Sequence, residues 1–376
     1  MDVLVAALNF PPSAVNTAQA PSWLPRQLVP FVTLSVPTAP PVKPDSFPDS
    51  SYYGAGLLDF CLMITFIAVM AVLRDATRLL LAEPFARWKL TRNLRAHKLA
   101  KLAAAKTNGK ANGTPEKANG HGAQNGNGNG YNASSPDTVT PAERKKLRHA
   151  VTRFSEQGWP VVYYAIQVPF GMYVHANLPT SMLNPVDVWA NYPHFPLAGP
   201  VKFYYLLQTA FYIHQVLILN AEARRKDHWQ MMSHHVITIA LMVGSYFYNY
   251  TRVGCLIMLL MDICDIFLPS AKMLKYLGMR TLCDVMFITF MVSWFITRHV
   301  LFNIVIKVTW EVWYIVPRIW DPSRGHYLTK EIYLGFFTML CTLQVIQLVW
   351  FGMICRVAYL VVSGKGAEDT RSDDEE

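Results

Sequence analysis

Long apolar segments are the feature that most constrains this chain. One runs from Ala55 to Val72, and several others of similar character follow. An α-helix needs about 20 apolar residues to cross the roughly 30 Å hydrocarbon core of a bilayer. Of the 376 residues, 52% are hydrophobic and only 16% are charged, a composition outside that of ordinary soluble proteins. The sequence therefore predicts an all-α, polytopic membrane protein.

Seven membrane spans are predicted, at residues 55–78, 158–175, 201–220, 232–250, 253–271, 282–306 and 332–360. Lys and Arg are concentrated in the loop after the first span, whereas residues 176–200 contain neither. Because basic residues next to a span stay on the cytosolic side, the first loop and the C-terminus are predicted to be cytosolic and the second loop lumenal. A re-entrant or split segment at 301–316 is the alternative; it would give eight spans and place the N-terminus in the cytosol instead of the lumen.

The spans divide the chain into five segments. Residues 1–50 are rich in proline and poor in charge, which predicts an extended tail. Residues 51–82 hold the first membrane helix. Residues 83–147 are basic and then rich in Asn and Gly, a composition that predicts a disordered cytosolic linker. Residues 148–362 form the main membrane domain, and residues 363–376 an acidic cytosolic tail.

Composition and spacing argue against nucleic-acid binding, disulfides and metal chemistry. No basic face on a soluble domain is available for nucleic acid. All six cysteines lie in apolar segments without a CxxC pair, which indicates buried thiols. Neighbouring helical residues point about 100° apart, so His234 and His235 do not readily bind one ion together, and the spacing from His228 to His234 does not fit the histidine boxes of membrane di-iron enzymes. We expect neither a metal nor a cofactor.

Ionisable residues inside membrane spans mark candidate functional sites, because they are unfavourable in lipid. His234 and His235 lie in the fourth span, and Asp262 and Asp265 in the fifth. A very short turn joins these spans, so they are expected to be antiparallel neighbours with both pairs at similar depth. Two carboxylates beside a histidine can orient it and stabilise its charged form, which is acid–base machinery. The alternative is a His–Asp pair that only holds two helices together.

Three further side chains are candidates for substrate binding: Arg298 in the sixth span, and Ser270 and Lys272 after the aspartates. Arg298 keeps its charge inside the membrane and therefore needs an anionic or carbonyl partner. Pairing with an aspartate and binding a substrate headgroup are the two alternatives for this side chain.

The stretch from Arg224 to Gly278, RRKDHWQMMSHHVITIALMVGSYFYNYTRVGCLIMLLMDICDIFLPSAKMLKYLG, resembles the Lag1 motif of ceramide synthases. The surrounding region, residues 148–362, resembles a six-span TLC domain preceded by one N-terminal span. The resemblance implies that the adjacent histidines and the D-x-x-D aspartates carry the activity. Met261 replaces the histidine that many animal members have before the first aspartate. An Asn/Gly-rich linker replaces their homeobox-like segment, so the chain resembles a fungal type.

The resemblance implies N-acylation of a sphingoid base, sphinganine or phytosphingosine, by a fatty acyl-CoA that acts as co-substrate. A histidine would act as base or as acyl-accepting nucleophile. It also implies location in the endoplasmic reticulum membrane and a small accessory subunit or a homo- or heterodimer with a related synthase. The alternative function is that of a non-catalytic TLC protein that binds lipids or assists the translocon. An iron-dependent lipid hydroxylase is a third.

Two sequence motifs match sites of covalent modification. Ser372, followed by Asp-Asp-Glu-Glu, is a candidate phosphorylation site for an acidic-directed kinase. Asn249-Tyr-Thr251 matches a glycosylation sequon, but its position beside the membrane predicts that it is not used.

Overall fold

The structure is a computed structural model that describes residues 11–111, 139–181, 183–221 and 227–363. Helices dominate the described chain. They are α1 (Asp59–Ala76), α2 (Glu83–Ala111), α3 (Pro141–Glu156), α4 (Gly158–Ala176), α5 (Gly199–Ala221), α6 (His228–Phe247), α7 (Thr251–Asp262), α8 (Phe267–Tyr276), α9 (Arg280–Trp294), α10 (Phe302–Ile315) and α11 (Lys330–Val362). Four helical stretches are long and apolar enough to cross a membrane: Asp59–Ala104, Thr251–Tyr276, Arg280–Ile315 and Lys330–Val362. The prediction of an all-α polytopic membrane protein is confirmed.

Only short strands accompany the helices in the described residues. β1 (Pro37–Thr38), β2 (Tyr52–Tyr53) and β3 (Leu197–Ala198) form one antiparallel sheet, and β4 (Trp320–Asp321) and β5 (His326–Tyr327) form another. The first sheet joins the N-terminal segment to the chain just before α5. Side-chain bonds join the remaining loops at this end: Asn249 Nδ2 donates to the Gly325 carbonyl at 2.8 Å. The loops before α5, α7 and α11 therefore meet at one end of the bundle.

The fifth predicted span, 253–271, is broken in the structure. Helix α7 ends at Asp262, a turn follows, and α8 begins at Phe267. Pro269 accounts for the break, because proline lacks the amide hydrogen that would bond the Asp265 carbonyl and its ring crowds that carbonyl. The turn leaves Asp265 outside regular helix, where its side chain has more freedom to find a partner.

The sixth span contains a different irregularity. Residues Phe295–Leu301 form a π-helical segment between α9 and α10 and carry Arg298 and His299. Such π-helical segments are uncommon in proteins, and those that occur are often found at functional sites. The helix nevertheless continues without interruption from Arg280 to Ile315. Residues 301–315 are thus part of one long helix in the structure, and the number of spans, seven or eight, stays a prediction.

The proline-rich N-terminal segment is not an extended tail over its described part. Residues 11–50 contain 3₁₀ turns at Pro12–Ala14, Thr17–Gln19 and Arg26–Phe31, and they bury Val15 and Val29. Proline favours compact turns as well as extended backbone. Here the turns pack apolar side chains onto the membrane domain. Residues 1–10 lie outside the described residues.

The expected disordered linker is helical at both of its described ends. Helix α2 extends over Glu83–Ala111, and α3 starts at Pro141 with a capping box in which Thr140 and Glu143 bond each other's backbone amides. Lys98 donates to the Glu143 carboxylate at 2.7 Å, and this bond lowers the pKa of Glu143 below its ordinary value. The helices bury apolar side chains against each other, as Ala86 and Phe154 show. Most of the Asn/Gly-rich run lies outside the described residues.

A buried ion pair anchors the first membrane helix to the rest of the bundle. Lys202 Nζ on α5 lies 2.7 Å from Asp59 Oδ1 on α1 and donates to the Ser35 and Gly54 carbonyls, also at 2.7 Å. Tyr246 on α6 donates its hydroxyl to Asp59 Oδ2 at 2.7 Å. Lys202 is 0% exposed and Asp59 2%. Three helices and the N-terminal segment are thus held by one polar cluster.

The glycosylation motif, Asn249-Tyr-Thr251, lies at the end of the bundle where the loops before α5, α7 and α11 meet. Asn249 is 4% exposed, and its Nδ2 atom is the one that donates to Gly325. Its φ of +59° is a left-handed conformation that asparagine tolerates.

We therefore expect the folded protein to carry no glycan at Asn249, because the amide nitrogen that a glycan would modify is buried and bonded. Endoglycosidase treatment of the expressed protein should leave its mass unchanged. An Asn249→Gln variant serves as the control for any glycan elsewhere. A mass shift that disappears in Asn249→Gln would contradict this placement.

Candidate active site

The two histidines of α6 face different surroundings, as expected for neighbours about 100° apart on a helix. His234 lines an internal cavity and packs against the Trp350 ring with 5.1 Å between centroids. His235 is buried and packs against the Tyr212 ring of α5 at 5.8 Å. The structure thus distinguishes two residues that the sequence presents as a pair. Of the two, His234 is the one at the cavity.

The cavity runs lengthwise between α6, α7 and α11 and has an empty volume of about 730 Å³, counting the part that opens outward. Its wall is almost entirely apolar. Helix α6 contributes one face: His234, Thr238, Leu241, Met242 and Ser245. Helix α11 contributes a matching face: Phe336, Leu340, Leu343 and Gln347. Each set follows the helical spacing of three and four residues, so each lines the cavity as a straight stripe. The cavity is therefore long and narrow.

The end of the cavity that holds His234 also holds an amide side chain. Gln347 of α11 lies there, and its amide nitrogen is 3.2 Å from the sulfur of Met261. Among the described residues, four buried atoms of the cavity lining have no hydrogen-bond partner: His234 Nδ1, Gln347 Oε1, Thr238 Oγ1 and Trp189 Nε1. Buried polar atoms are normally paired. The atoms of His234 and Gln347 lie at the same end of the cavity and therefore suit the polar end of a ligand whose apolar part fills the cavity.

Asp262 is held by a glutamine and not by a histidine. It is 0% exposed at the end of α7, and Gln208 Nε2 of α5 donates to its Oδ2 atom. Tyr163 of α4 donates its hydroxyl to Gln208 Oε1 at 2.8 Å. That bond orients the amide, so its nitrogen must face the carboxylate. No hydrogen bond in the described part of the chain joins either histidine to either aspartate, so the predicted direct His–Asp contact is absent there and Asp262 is bonded to Gln208 instead.

Asp265 pairs with the arginine of the sixth span. Arg298 donates to Asp265 Oδ1 at 2.6 Å and to the Met261 carbonyl at 2.7 Å. Its guanidinium also lies over the Trp294 ring, 4.0 Å from the centroid. Of the two alternatives for Arg298, the structure therefore has the pairing with an aspartate. The π-helical segment and the turn at Asp265 bring these two side chains together.

The other predicted site residues lie away from the cavity. Ser270 donates its hydroxyl to the Ile266 carbonyl of its own helix at 2.7 Å. Lys272 is half-buried on α8, and neither of them lines the cavity. Ser372 and Arg224–Lys226 lie outside the described residues. In the described ranges no three His, Cys, Asp or Glu side chains group in a way that could hold a metal ion.

Gln208, Tyr163, Tyr212 and Gln347 were missed by the sequence analysis, which considered only ionisable residues. Gln208 and Gln347 nevertheless carry a signal, because amide side chains inside apolar spans also need partners. Tyr163 and Tyr212 carry none, since tyrosine is common in membrane helices.

A profile of the TLC domain matches residues 153–356, more than half of the chain. The protein belongs to the TLC-domain family. The matched residues contain every residue that lines the cavity, from Trp189 to Gln347. The TLC domain thus supplies His234, both aspartates, Gln208 and Arg298, whereas the N-terminal segment and α1 lie outside it.

Several other proteins are similar to this chain in sequence. The chain is 40% identical to a ceramide synthase of Gibberella moniliformis over 253 residues, 59% of this chain and 58% of that protein. It is 40% identical to a sphingosine N-acyltransferase of Schizosaccharomyces pombe over 233 residues, 61% of this chain and 59% of that protein. Ceramide synthase 4 of Bos taurus is 32% identical over 62% of this chain and 57% of its own length. The matches span less than two thirds of each relative, and they confirm the resemblance found in the Lag1-like stretch.

We expect Gln208→Leu to lower kcat about 10- to 100-fold and leave the KM for acyl-CoA unchanged, because Gln208 orients Asp262 but does not line the cavity. A hydrogen bond to a charged group contributes about 1.5–3 kcal/mol, and about 1.4 kcal/mol is tenfold in rate. Kinetics of the acyl transfer proposed below measure this. Gln167→Leu is the matched control: Gln167 is 1% exposed on α4 and has no bond to Asp262. Equal losses in both variants would show that Gln208 is merely structural.

Proposed function

We propose that this protein is a ceramide synthase that transfers a fatty acyl group from acyl-CoA to the amine of a sphingoid base such as sphinganine or phytosphingosine. The observation that carries the proposal is a long apolar cavity with a histidine at one end, within a TLC domain that is similar to those of ceramide synthases. The apolar stripes of α6 and α11 suit an acyl chain. His234 and Gln347 suit the thioester at its end.

His234 is the residue that we assign to the chemistry, by one of two routes. As a nucleophile, its imidazole nitrogen attacks the thioester carbon; the C–S bond breaks, CoA leaves as the thiolate, and an acyl-imidazole forms. The amine of the sphingoid base then attacks the same carbon, loses a proton, and releases ceramide and free His234. As a base, His234 takes the amine proton while the amine attacks the thioester directly. Intact-protein mass measured with acyl-CoA alone distinguishes the routes, since only the first adds an acyl group.

The aspartates act on this chemistry through position and charge. Asp262 is fixed by the Gln208 relay, and Asp265 is fixed by Arg298. Tyr212 packs against His235 and also lines the cavity. A carboxylate near a histidine favours the imidazolium that forms as a proton is taken up. We assign Asp262 and Asp265 to this electrostatic role and His235 to holding the ring of Tyr212 in place.

We propose seven membrane crossings and a cytosolic C-terminus, which the helix order and the charge distribution support. Successive membrane helices run in opposite directions, so the chain passes from one end of the bundle to the other with each helix. The basic segment around α2 and α3 is at the end opposite β1–β3. Basic residues favour the cytosolic side. His234 lies in the second turn of α6, near this basic end, so an acyl-CoA can keep its charged head in water while its chain enters the cavity. The endoplasmic reticulum is the proposed membrane.

The alternative, a non-catalytic TLC protein that binds lipid, is also compatible with an apolar cavity. The deciding experiment incubates the purified full-length protein with sphinganine and palmitoyl-, stearoyl-, arachidoyl- or lignoceroyl-CoA and measures ceramide by mass spectrometry. The proposal predicts ceramide and an equal amount of released CoA. Lipid binding without product from any acyl-CoA would favour the alternative. Activity only after a second protein is added would identify the accessory subunit that the family resemblance implies.

A further inference from the structure

The end of the cavity opposite His234 is closed by aromatic rings. Trp189 comes from the loop before α5, Tyr250 from the turn between α6 and α7, and Phe336 from the second turn of α11. The Trp189 and Tyr250 centroids are 5.2 Å apart, and the Tyr250 and Phe336 centroids are 5.1 Å apart. Edge-to-face contacts at these distances are favourable. We call these three residues the aromatic plug.

The plug is supported from behind by packed loops. Tyr192 and Tyr248 place their rings against Tyr250, at 5.3 and 6.3 Å between centroids. Tyr192 donates its hydroxyl to the Tyr248 carbonyl at 2.9 Å and accepts a bond from the Tyr327 amide at 3.0 Å. Trp189 is 5% exposed and Tyr250 3%. Close-packed interiors resist displacement, so a ligand that reaches the plug meets a firm wall.

The length of the cavity can be estimated from its stripes. His234 and Ser245 on α6 lie eleven residues apart, and so do Phe336 and Gln347 on α11. At about 1.5 Å per residue, both stripes span about 16 Å. Half of the roughly 30 Å hydrocarbon core of a bilayer, the depth filled by one lipid acyl chain, is about 15 Å. The distance from His234 to the plug is therefore comparable to the depth that one ordinary long acyl chain fills in a bilayer.

We propose that the aromatic plug of Trp189, Tyr250 and Phe336 sets the upper limit of acyl-chain length, so that the enzyme uses long-chain acyl-CoAs such as palmitoyl- and stearoyl-CoA in preference to very-long-chain ones such as lignoceroyl-CoA. The inference rests on the proposed acyltransferase function. For the carbonyl of a longer chain to reach His234, its methyl end would have to displace the buried rings of Trp189 and Tyr250 and the half-buried ring of Phe336.

The test uses variants with opposite expected shifts. Phe336→Ala and Trp189→Leu enlarge the far end and should raise the ratio of lignoceroyl- to palmitoyl-ceramide. Leu340→Phe narrows the cavity one turn closer to His234 and should shift the product towards chains shorter than palmitoyl. A single methylene in an apolar pocket changes specificity by about 10-fold or more, so we expect shifts of at least about tenfold. The readout is the ratio of two ceramide products. General destabilisation of the protein lowers both products together, so it does not shift this ratio in opposite directions in the two kinds of variant.

Phe337→Leu is the matched control. Phe337 neighbours Phe336 in sequence but packs against Trp310 and Tyr333 at 5.3 and 6.1 Å, and it does not line the cavity. Its product profile should equal that of the wild type. A wild-type protein that makes no ceramide would overturn the proposed function itself. Active variants with the wild-type length profile, or a wild type that prefers lignoceroyl-CoA, would overturn the plug while leaving the acyltransferase function intact.

Discussion

His234→Ala should lower ceramide formation by about 10²- to 10⁴-fold, the range that a positioned acid–base or nucleophilic group contributes. The variant removes the polar ring at the cavity end and leaves the apolar stripe of α6 in place. Binding of the acyl chain should therefore persist while its transfer fails. The measurement compares rates of ceramide formation and the binding of a non-hydrolysable thioether analogue of acyl-CoA.

Two further histidine variants test whether the loss of activity is specific to His234. His214→Ala removes an equally polar ring that is 4% exposed on α5 and does not line the cavity, so its kcat should stay within a few-fold of the wild type. His235→Ala should have an intermediate effect, because His235 contacts Tyr212 and not the cavity. Full activity in His234→Ala, or a larger loss in His235→Ala, would show that the wrong member of the pair has been assigned.

Lys202→Met should lower the free energy of unfolding by about 3–5 kcal/mol, because it leaves the buried carboxylate of Asp59 without its cation. The same change breaks two bonds to carbonyls of the N-terminal segment. Denaturant titration of the protein in detergent micelles measures the effect. Limited proteolysis should also cut within residues 11–50 more rapidly than in the wild type.

The double variant Lys202→Met with Asp59→Leu separates the ion pair from simple packing. Replacing both partners by apolar residues removes the unpaired charge and should recover much of the lost stability. Arg87→Met is the surface control, since Arg87 pairs with Glu83 while its side chain is 70% exposed; exposed pairs contribute little. A double variant as unstable as Lys202→Met alone would show that the unpaired charge is not the cause.

The residues of the site were largely identifiable from sequence because membrane physics restricts where charge can lie. His234, Asp262 and Arg298 stand out in spans where ionisable groups are unfavourable. The short turn at Tyr250 correctly indicates that α6 and α7 are neighbours. The break after Asp262 also had a signal, since Pro269 interrupts the helix four residues after Asp265.

The partners of those residues could not be predicted, because they depend on how distant helices pack. The expected His–Asp contact assumed that only α6 and α7 face each other, whereas Gln208 of α5 reaches Asp262. Which histidine faces the cavity depends on the rotation of α6 about its axis, and the spacing of two adjacent residues does not determine this rotation.

In the segments outside the TLC domain, too, part of the structure could be predicted from the sequence and part could not. Proline-rich composition predicts an extended tail for residues 1–50, whereas residues 11–50 fold into 3₁₀ turns. Their docking, however, depends on Lys202, which lies some 150 positions later and had no visible partner in the sequence. Similarly, the composition of the linker is dominated by its Asn/Gly-rich part, which conceals the helix-forming residues of α2.

The most direct test of the proposed site locates the two ends of the bound acyl chain. Two photoreactive acyl-CoA thioethers of equal length, one with a diazirine beside the thioether carbon and one with a diazirine at the methyl end, are crosslinked to the purified protein and mapped by peptide mass spectrometry. We predict that the first labels residues around His234 and Gln347 and the second labels residues around Trp189 and Phe336. Labelling confined to lipid-facing residues, or the reverse order of the two probes, would contradict a site in which the acyl chain fills this cavity and reacts at His234.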